Sequence, residues 1–342
     1  MLNHARTASL LGTLILALAA AWPAHASETR FAVYGDMPYM ATLPDGRTDK
    51  QVLEQDIAPR LAGMTEVDFV IHLGDLGRPK DACNDSWLHA QKRLWEHGFK
   101  KPAFYTPGDN DWTDCDRASV KPRQSELARL DAVRRVFFST PHNFDPAWHY
   151  SRQHGQPENA SWTIGKVHFT TLHIVSTNNG REQVYLDDPR QALSLADARD
   201  AANLIWLERA FQEAKSPEIE ALVIATQHDF FEPLKHGSSQ LEWCLSNPSF
   251  APICQQFLQG TKMLGKPVLM MHGDTDAYCL DQPFMTEGVE NFWRLNAPGD
   301  FKPIDLSIIS VDVANKSHPF SATSLLAGGP VPDECVYEGV KP

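Results

Sequence analysis

Apolar, β-branched-rich runs of strand length recur along the chain and stop at small polar turns. Phe31–Tyr34 runs into Gly35-Asp36, Val67–Leu73 into Gly74-Asp75, and Ala103–Thr106 into Gly108-Asp109. Ala221–Thr226 leads to Gln227-His228, and Pro267–Met271 to His272-Gly273-Asp274. Val167–Ser176, VHFTTLHIVS, alternates as a half-buried strand does, and Leu306–Val313 reads as another. Helical spacing lies between some of these runs. Ser86–His97 follows an Asn84/Asp85 cap, Gln124–Phe138 repeats in the same way, and Asp197–Ala214 carries Ala, Leu, Trp and Phe on one stripe; Ile253–Leu264 is weaker. Ser151–Asn159 and Asn315–Pro332 read as loop.

Strand–helix alternation in the first half predicts parallel βαβ units, while the consecutive strand-like runs from Ser161 to Ser176 predict antiparallel pairing. The expected class is α/β: two packed mixed sheets, a β-sandwich, with helices outside. No repeat, low-complexity segment or linker divides the chain, so residues 27–342 are read as a single domain.

Residues 1–26 are set aside as a leader. Arg6, the apolar run Leu10–Ala21 and the Ala24-His25-Ala26 cleavage pattern are those of a signal peptide, and the run is short for a membrane span. The mature chain is expected in the periplasm or outside the cell. Its formal charge, −12 for the whole sequence, repels nucleic acid and anionic membrane, so neither is expected as a partner. Six cysteines in an exported chain suggest disulfides, with fifteen connectivities open. The preferred set is Cys83–Cys115, Cys244–Cys254 and Cys279–Cys335. Cys83 and Cys115 each follow a Gly-Asp turn and become neighbours if those turns converge; the other two pairs rest on proximity and on what remains.

In α/β sheets ligands bind where loops leave the carboxyl ends of strands. Asp36, Asp75, Asp109, Asp274 and Asp276 all stand there, and so does His228. A single Gly-Asp after a strand is an ordinary turn; several, with a strand-terminal His, point to a cation site. The order of these turns resembles that of the calcineurin-like metallophosphoesterases, whose pattern is D-x-H, G-D-x-x, G-N-H-D/E, a strand-terminal His, then G-H-x-H. The matching stretches here are Asp36-Met37-Pro38, Gly74-Asp75, Gly108-Asp109-Asn110-Asp111, His228 and Gly273-Asp274-Thr275-Asp276, from about residue 31 to 278. The GDND and GDTD turns are closer still to those of a bacterial branch of the family.

The resemblance implies a two-metal site at one sandwich edge. Asp75 would bridge the metals, Asp36 would hold one, and Asp109 with His228 the other; Asp274 and Asp276 take the G-H-x-H positions. Pro38 replaces one family ligand, and Asn110 stands where the catalytic His would be. Five carboxylates overcompensate two divalent ions by one charge, where the usual site leaves a positive excess. At about 4 Å and an effective dielectric near 20, each unit charge counts for about 4 kcal/mol toward a phosphate. Oxygen donors also move the preference to Mn, Mg or Ca over Zn or Fe. The implied activity is hydrolysis of a small phosphate monoester or diester by metal-activated water. Asn110 can donate to a phosphate oxygen but cannot protonate a leaving group. His72, His142 and His272 are candidate proton donors, and Trp112 and Asn178 are candidate pocket residues. The alternative reading keeps the fold without the chemistry: a metal-stabilised binding or structural protein. No G-x-S-x-G, P-loop or dinucleotide fingerprint offers a rival enzyme class.

Overall fold

A computed structural model describes residues 28–233, 239–299 and 303–337. The leader expected over residues 1–26 lies outside them. Twelve strands form two sheets among the described residues. β1 (Thr29–Tyr34), β2 (Val70–His72) and β3 (Ala103–Tyr105) are parallel neighbours. β4 (Ser151–Gln153), β5 (Gln156–Ile164) and β6 (Val167–Thr171) form an antiparallel meander. β7 (Ala221–Ala225) and β8 (Val268–His272) add in parallel, followed by β9 (Cys279–Asp281) and β10 (Phe292–Asn296). β11 (Ser307–Val311) and β12 (Phe320–Ser324) return antiparallel to the first sheet. The sheet orders are β12-β11-β1-β2-β3 and β4-β5-β6-β7-β8-β10-β9.

Two-residue alternation assigns each strand residue to one of two cores. Phe31 and Val33 join Phe69, Phe169, Val223 and Leu269 between the sheets. The Phe31 and Phe69 rings stack at 5.1 Å, and Phe69 meets Phe169 edge-on at 5.1 Å. The alternate residues Ala32 and Tyr34 face helices outside the first sheet, and Leu222 and Ile224 face helices outside the second. The result is the expected two-sheet sandwich with helices outside.

The helix at Asp85–Arg93 is capped by Asn84, whose side chain accepts from Ser86 N, and winds on in wider turns to Phe99. Glu126–Val133 likewise continues to Phe138. The long helix runs from Pro189 to Ala214, eight residues earlier than its apolar stripe suggested, because Asp188 caps it ahead of Pro189. The helical stretch Asp49–Gly63 has no counterpart in the sequence reading, although Thr48 and Gln51 form a reciprocal capping box at its start. Thr48→Ala is expected to lower the unfolding free energy by about 1 kcal/mol in urea titration, with an unchanged m-value.

Three expectations are corrected. The run Val167–Ser176 leaves the ladder after Thr171, and Thr177, Asn178 and Asn179 turn into left-handed backbone. Ser151–Asn159 is mostly strand, because its polar residues are buried with partners: Glu158 pairs with Arg134, and Asn159 Oδ1 accepts from His173 N at 2.7 Å. Asn315–Pro332 contains β12, whose alternate residues Phe320, Ala322 and Ser324 are buried, the first two in the core between the sheets. All three expected disulfides are present, with Cα–Cα separations of 5.6 Å (Cys83–Cys115), 5.7 Å (Cys244–Cys254) and 5.1 Å (Cys279–Cys335). No described helix is long and apolar enough to cross a membrane.

Candidate metal centre

The parallel strands β1, β2, β3 and β8 release their Asp-bearing turns at one rim. Asp36, Asp75 and Asp274 sit in left-handed backbone, with φ of 50°, 57° and 73°. That conformation is costly for a non-glycine residue and collects at functional sites. The neighbouring glycines let the turns touch. A Cβ at Gly108 would lie 2.0 Å from Asp75 Oδ1, and one at Gly273 would lie 2.0 Å from Asp36 Oδ2.

The acids are joined by shared donors. The Tyr39 hydroxyl donates to Asp75 Oδ2 (2.9 Å) and lies 3.3 Å from Asp36 Oδ1, while Asn110 Nδ2 donates to the Tyr39 oxygen (3.1 Å). Asn110 N donates to Asp75 Oδ1 (3.1 Å), and Asp274 N to Asp36 Oδ2 (3.0 Å). Gln227 Nε2 donates to Asp109 Oδ1 (3.1 Å) and Asp274 Oδ1 (3.0 Å), and Ser176 Oγ donates to that same Asp274 oxygen (2.9 Å). Thus Asp36, Asp75, Asp109 and Asp274, spread over more than two hundred residues of sequence, form one group.

Below them Asp111 acts as a clamp. Its carboxylate accepts the backbone N–H of Asp75 (3.0 Å), Leu76 (2.8 Å) and Gly108 (2.8 Å) and the Tyr105 hydroxyl (2.7 Å). A second support lies under the Asp274 loop. Asp229 N donates to Asp274 Oδ2 (3.4 Å), and Asp229 Oδ2 accepts from Thr275 (2.7 Å) and from the Tyr337 hydroxyl (2.9 Å), which in turn accepts from Arg294 (2.8 Å).

Burial, then Asp109, Asp36, Asp111 and Asp274, push the Asp75 carboxyl well above its usual range. Asp109 is raised by burial and by Asp274. Asp111 rises only to about 6, because the Tyr105 hydroxyl and its amide donors oppose burial. Asp114 rises to about 8 through burial and Asp109, against the paired Arg117. Over this floor opens a cleft of about 470 Å³ whose wall includes Tyr39, Asn110 and the cations Arg78, Lys80 and Arg117.

No family model matches the sequence, and neither does any curated protein. Among solved structures, PhoD superposes with a TM-score of 0.52 at 12% identity, over 92% of this chain and 73% of PhoD. GAP50, the anchor in the inner membrane complex of Plasmodium, gives 0.49 at 14% identity, over 92% of this chain and 90% of its own. The 5'-nucleotidase of Candida albicans SC5314 gives 0.45 at 11% identity, over 86% and 50%. The fold is that of the calcineurin-like metallophosphoesterases.

Within that metallophosphoesterase fold the sequence-read site residues separate into two sets. Asp36, Asp75, Asp109, Asn110 and Asp274 come together. His228 reaches the group only through Asp274, its Nδ1 lying 3.1 Å from Oδ2; the strand-terminal side chain between Asp109 and Asp274 is Gln227. Asp276 is half-buried and makes no side-chain hydrogen bond among the described residues, and the acid acting on Asp75 in its stead is Asp111. Trp112 is fully buried, with Leu130 and Val175 around it and the Arg199 guanidinium 4.8 Å from its ring, so it cannot flank a ligand. Asn178 accepts from Asn247 (3.4 Å) and does not line the cleft. His72 is buried, with its pKa lowered to about 3 by desolvation, and His272 is buried and lowered too. His142 lies in another cavity. None of the three faces the cleft. Tyr39 and Gln227 escaped the sequence reading; their only signals were their places after Asp36 and at the end of β7.

The carboxylates fit an oxygen-ligated divalent cation: they are crowded, charged against one another, and aimed to one rim by strained turns. They do not fit the nitrogen-rich set of the family pattern. Among the described residues no three His, Cys, Asp or Glu side chains already close on one point as metal ligands; neutral Tyr39 and Gln227 donors occupy the spaces between them.

Proposed function

We propose that this protein is an exported hydrolase of small phosphate esters that works with a divalent cation held by Asp36, Asp75, Asp109 and Asp274. The carrying observation is the union of four carboxylates beneath a cleft walled by Arg78, Lys80 and Arg117. An acid floor alone repels phosphate; a cationic wall above it draws the anion in while the floor holds its counter-charge. The three disulfides support an oxidising compartment.

The acids hold the ion, and oxygen donors favour Mn, Mg or Ca. When bound, that ion supplies a water of lowered pKa and neutralises charge on the phosphoryl oxygens. Asn110 Nδ2, at the cleft wall, turns from Tyr39 to a phosphate oxygen. The Tyr39 hydroxyl orients Asp75 and Asp36. Arg78 and Lys80 grip the outer oxygens, and Arg78→Met is expected to raise KM about tenfold while kcat stays within about twofold.

The test is elemental analysis of the purified mature chain, followed by assays on a generic phosphomonoester and phosphodiester with added Mn, Mg or Ca. Metal-dependent turnover is the expected result. Tightly bound metal without turnover on a broad panel would favour a metal-stabilised binding protein, and no metal under any condition would remove both readings.

A further inference from the structure

Behind the acid centre lies a second cavity of about 190 Å³. It sits between the outer helices and the β3 end of the sandwich, and its wall is largely aromatic. Phe104 and Phe144 approach at 4.8 Å, Phe144 and Tyr150 meet edge-on at 4.8 Å, and Phe138 stacks near Tyr105 at 5.9 Å. This volume exceeds the about 150 Å³ that accepts benzene in an apolar protein cavity. These rings already pack against one another, so the room for a guest is the cavity volume itself, bordered by their remaining faces and edges.

The wall also carries charge. Lys92 and Lys101 line it against Glu96. Lys92 Nζ donates to Val136 O (2.8 Å) and lies 3.9 Å from Glu96, and Lys101 Nζ donates to Met64 O (2.5 Å). An ammonium has three donors, so each of these bonds leaves capacity for an anion at the cavity edge. Asp68, which feels Lys101, is the other nearby acid, and Arg152 acts on His142 at the mouth. The positive balance of the wall excludes a quaternary ammonium, the other guest of aromatic cages. Tyr105 lines this cavity and gives its hydroxyl to Asp111, and the cavity and the acid cleft have no lining residue in common.

We propose that this cavity is a binding site for a single-ring aromatic anion, its ring among Phe104, Phe138, Phe144 and Tyr150 and its acid group on Lys101. The probe is 4-fluorobenzoate, followed by ¹⁹F NMR on the mature chain, with fluorobenzene as the uncharged control. Saturable binding of 4-fluorobenzoate with Kd on the order of 1 mM or tighter is expected. Lys101→Met should weaken it at least about tenfold and change fluorobenzene less than about twofold. Ala160→Leu, which fills the cavity from β5, should abolish both. Phe144→Ala lies on the covering loop and should weaken both at least about fivefold; it keeps the test intact if the β5 variant does not fold. Absence of saturable 4-fluorobenzoate binding, binding unaltered in the folded cavity variants, or equal loss of both probes in Lys101→Met would each overturn the proposal.

Discussion

Asp75→Asn is expected to reduce metal-dependent phosphoester turnover at least about a hundredfold and at the same time to raise the melting temperature of the metal-free protein. Both effects come from one carboxylate. Asp75 stands at the middle of the acid group, accepting from Asn110 N and from the Tyr39 hydroxyl, with Asp36, Asp109 and Asp274 around it. Removing its charge deprives a cation of its central anion, a loss of several kcal/mol where each 1.4 kcal/mol is about tenfold in rate. Without a cation the same charge is a liability: burial and four neighbouring acids hold the carboxyl far above its usual range. A raised folded-state pKa means the native state must hold a proton that the unfolded chain releases, so metal-free stability falls as pH rises. The Asn variant lacks that loss. Turnover of a phosphodiester with Mn, and calorimetry in excess chelator, read the two arms; full activity in the variant would sink the functional assignment.

Glu126→Gln is expected to stabilise the protein by roughly 3 kcal/mol at pH 7 and by almost nothing at pH 4. Glu126 is 1% exposed, and its Oε1 has no hydrogen-bond partner among the described residues. Burial first, then Asp116, Asp187 and Asp114, raise its pKa from 4.5 to about 9. Below 4.5 it is protonated whether folded or not. Between 4.5 and about 9 the folded chain keeps the proton and the unfolded chain gives it up, so stability declines by about 1.4 kcal/mol per pH unit. The amide cannot ionise and escapes the decline. Urea titrations of both proteins at pH 4, 5.5 and 7 should diverge with pH; parallel curves would show that Glu126 is solvated and ionised in the native state.

The central strands and the Asp turns were legible because both obey local rules. Phe31 and Val33 alternate with Ala32 and Tyr34, and Gly-Asp follows where the strand ends. β12 was hidden because its short inward face, Phe320, Ala322 and Ser324, stands in a run of Ser, Asn, Gly and Pro that reads as turn. The start of β5 was not legible, because its buried residues are polar and satisfied only by distant partners: Asn159 by the His173 amide, Glu158 by Arg134. The exchange of Gln227 for His228 has the same origin. Which of two consecutive side chains faces the acids depends on how β7 leaves the sheet, and the sequence offers both. Trp112 follows the Asp turn directly, yet the chain folds it under, against Arg199 and Leu130. Adjacency along the chain carries no direction.

The Cys279–Cys335 bond brings the C-terminal stretch beneath the rim, where Tyr337 braces Asp229 and, through it, the Asp274 loop. A reductant that opens this bond would untie the segment and draw the phenol away from Asp229, loosening the Asp274 loop while Asp111 still clamps the Asp75 turn. The redox state of one sulfur pair thereby sets how firmly one of the four acids is held.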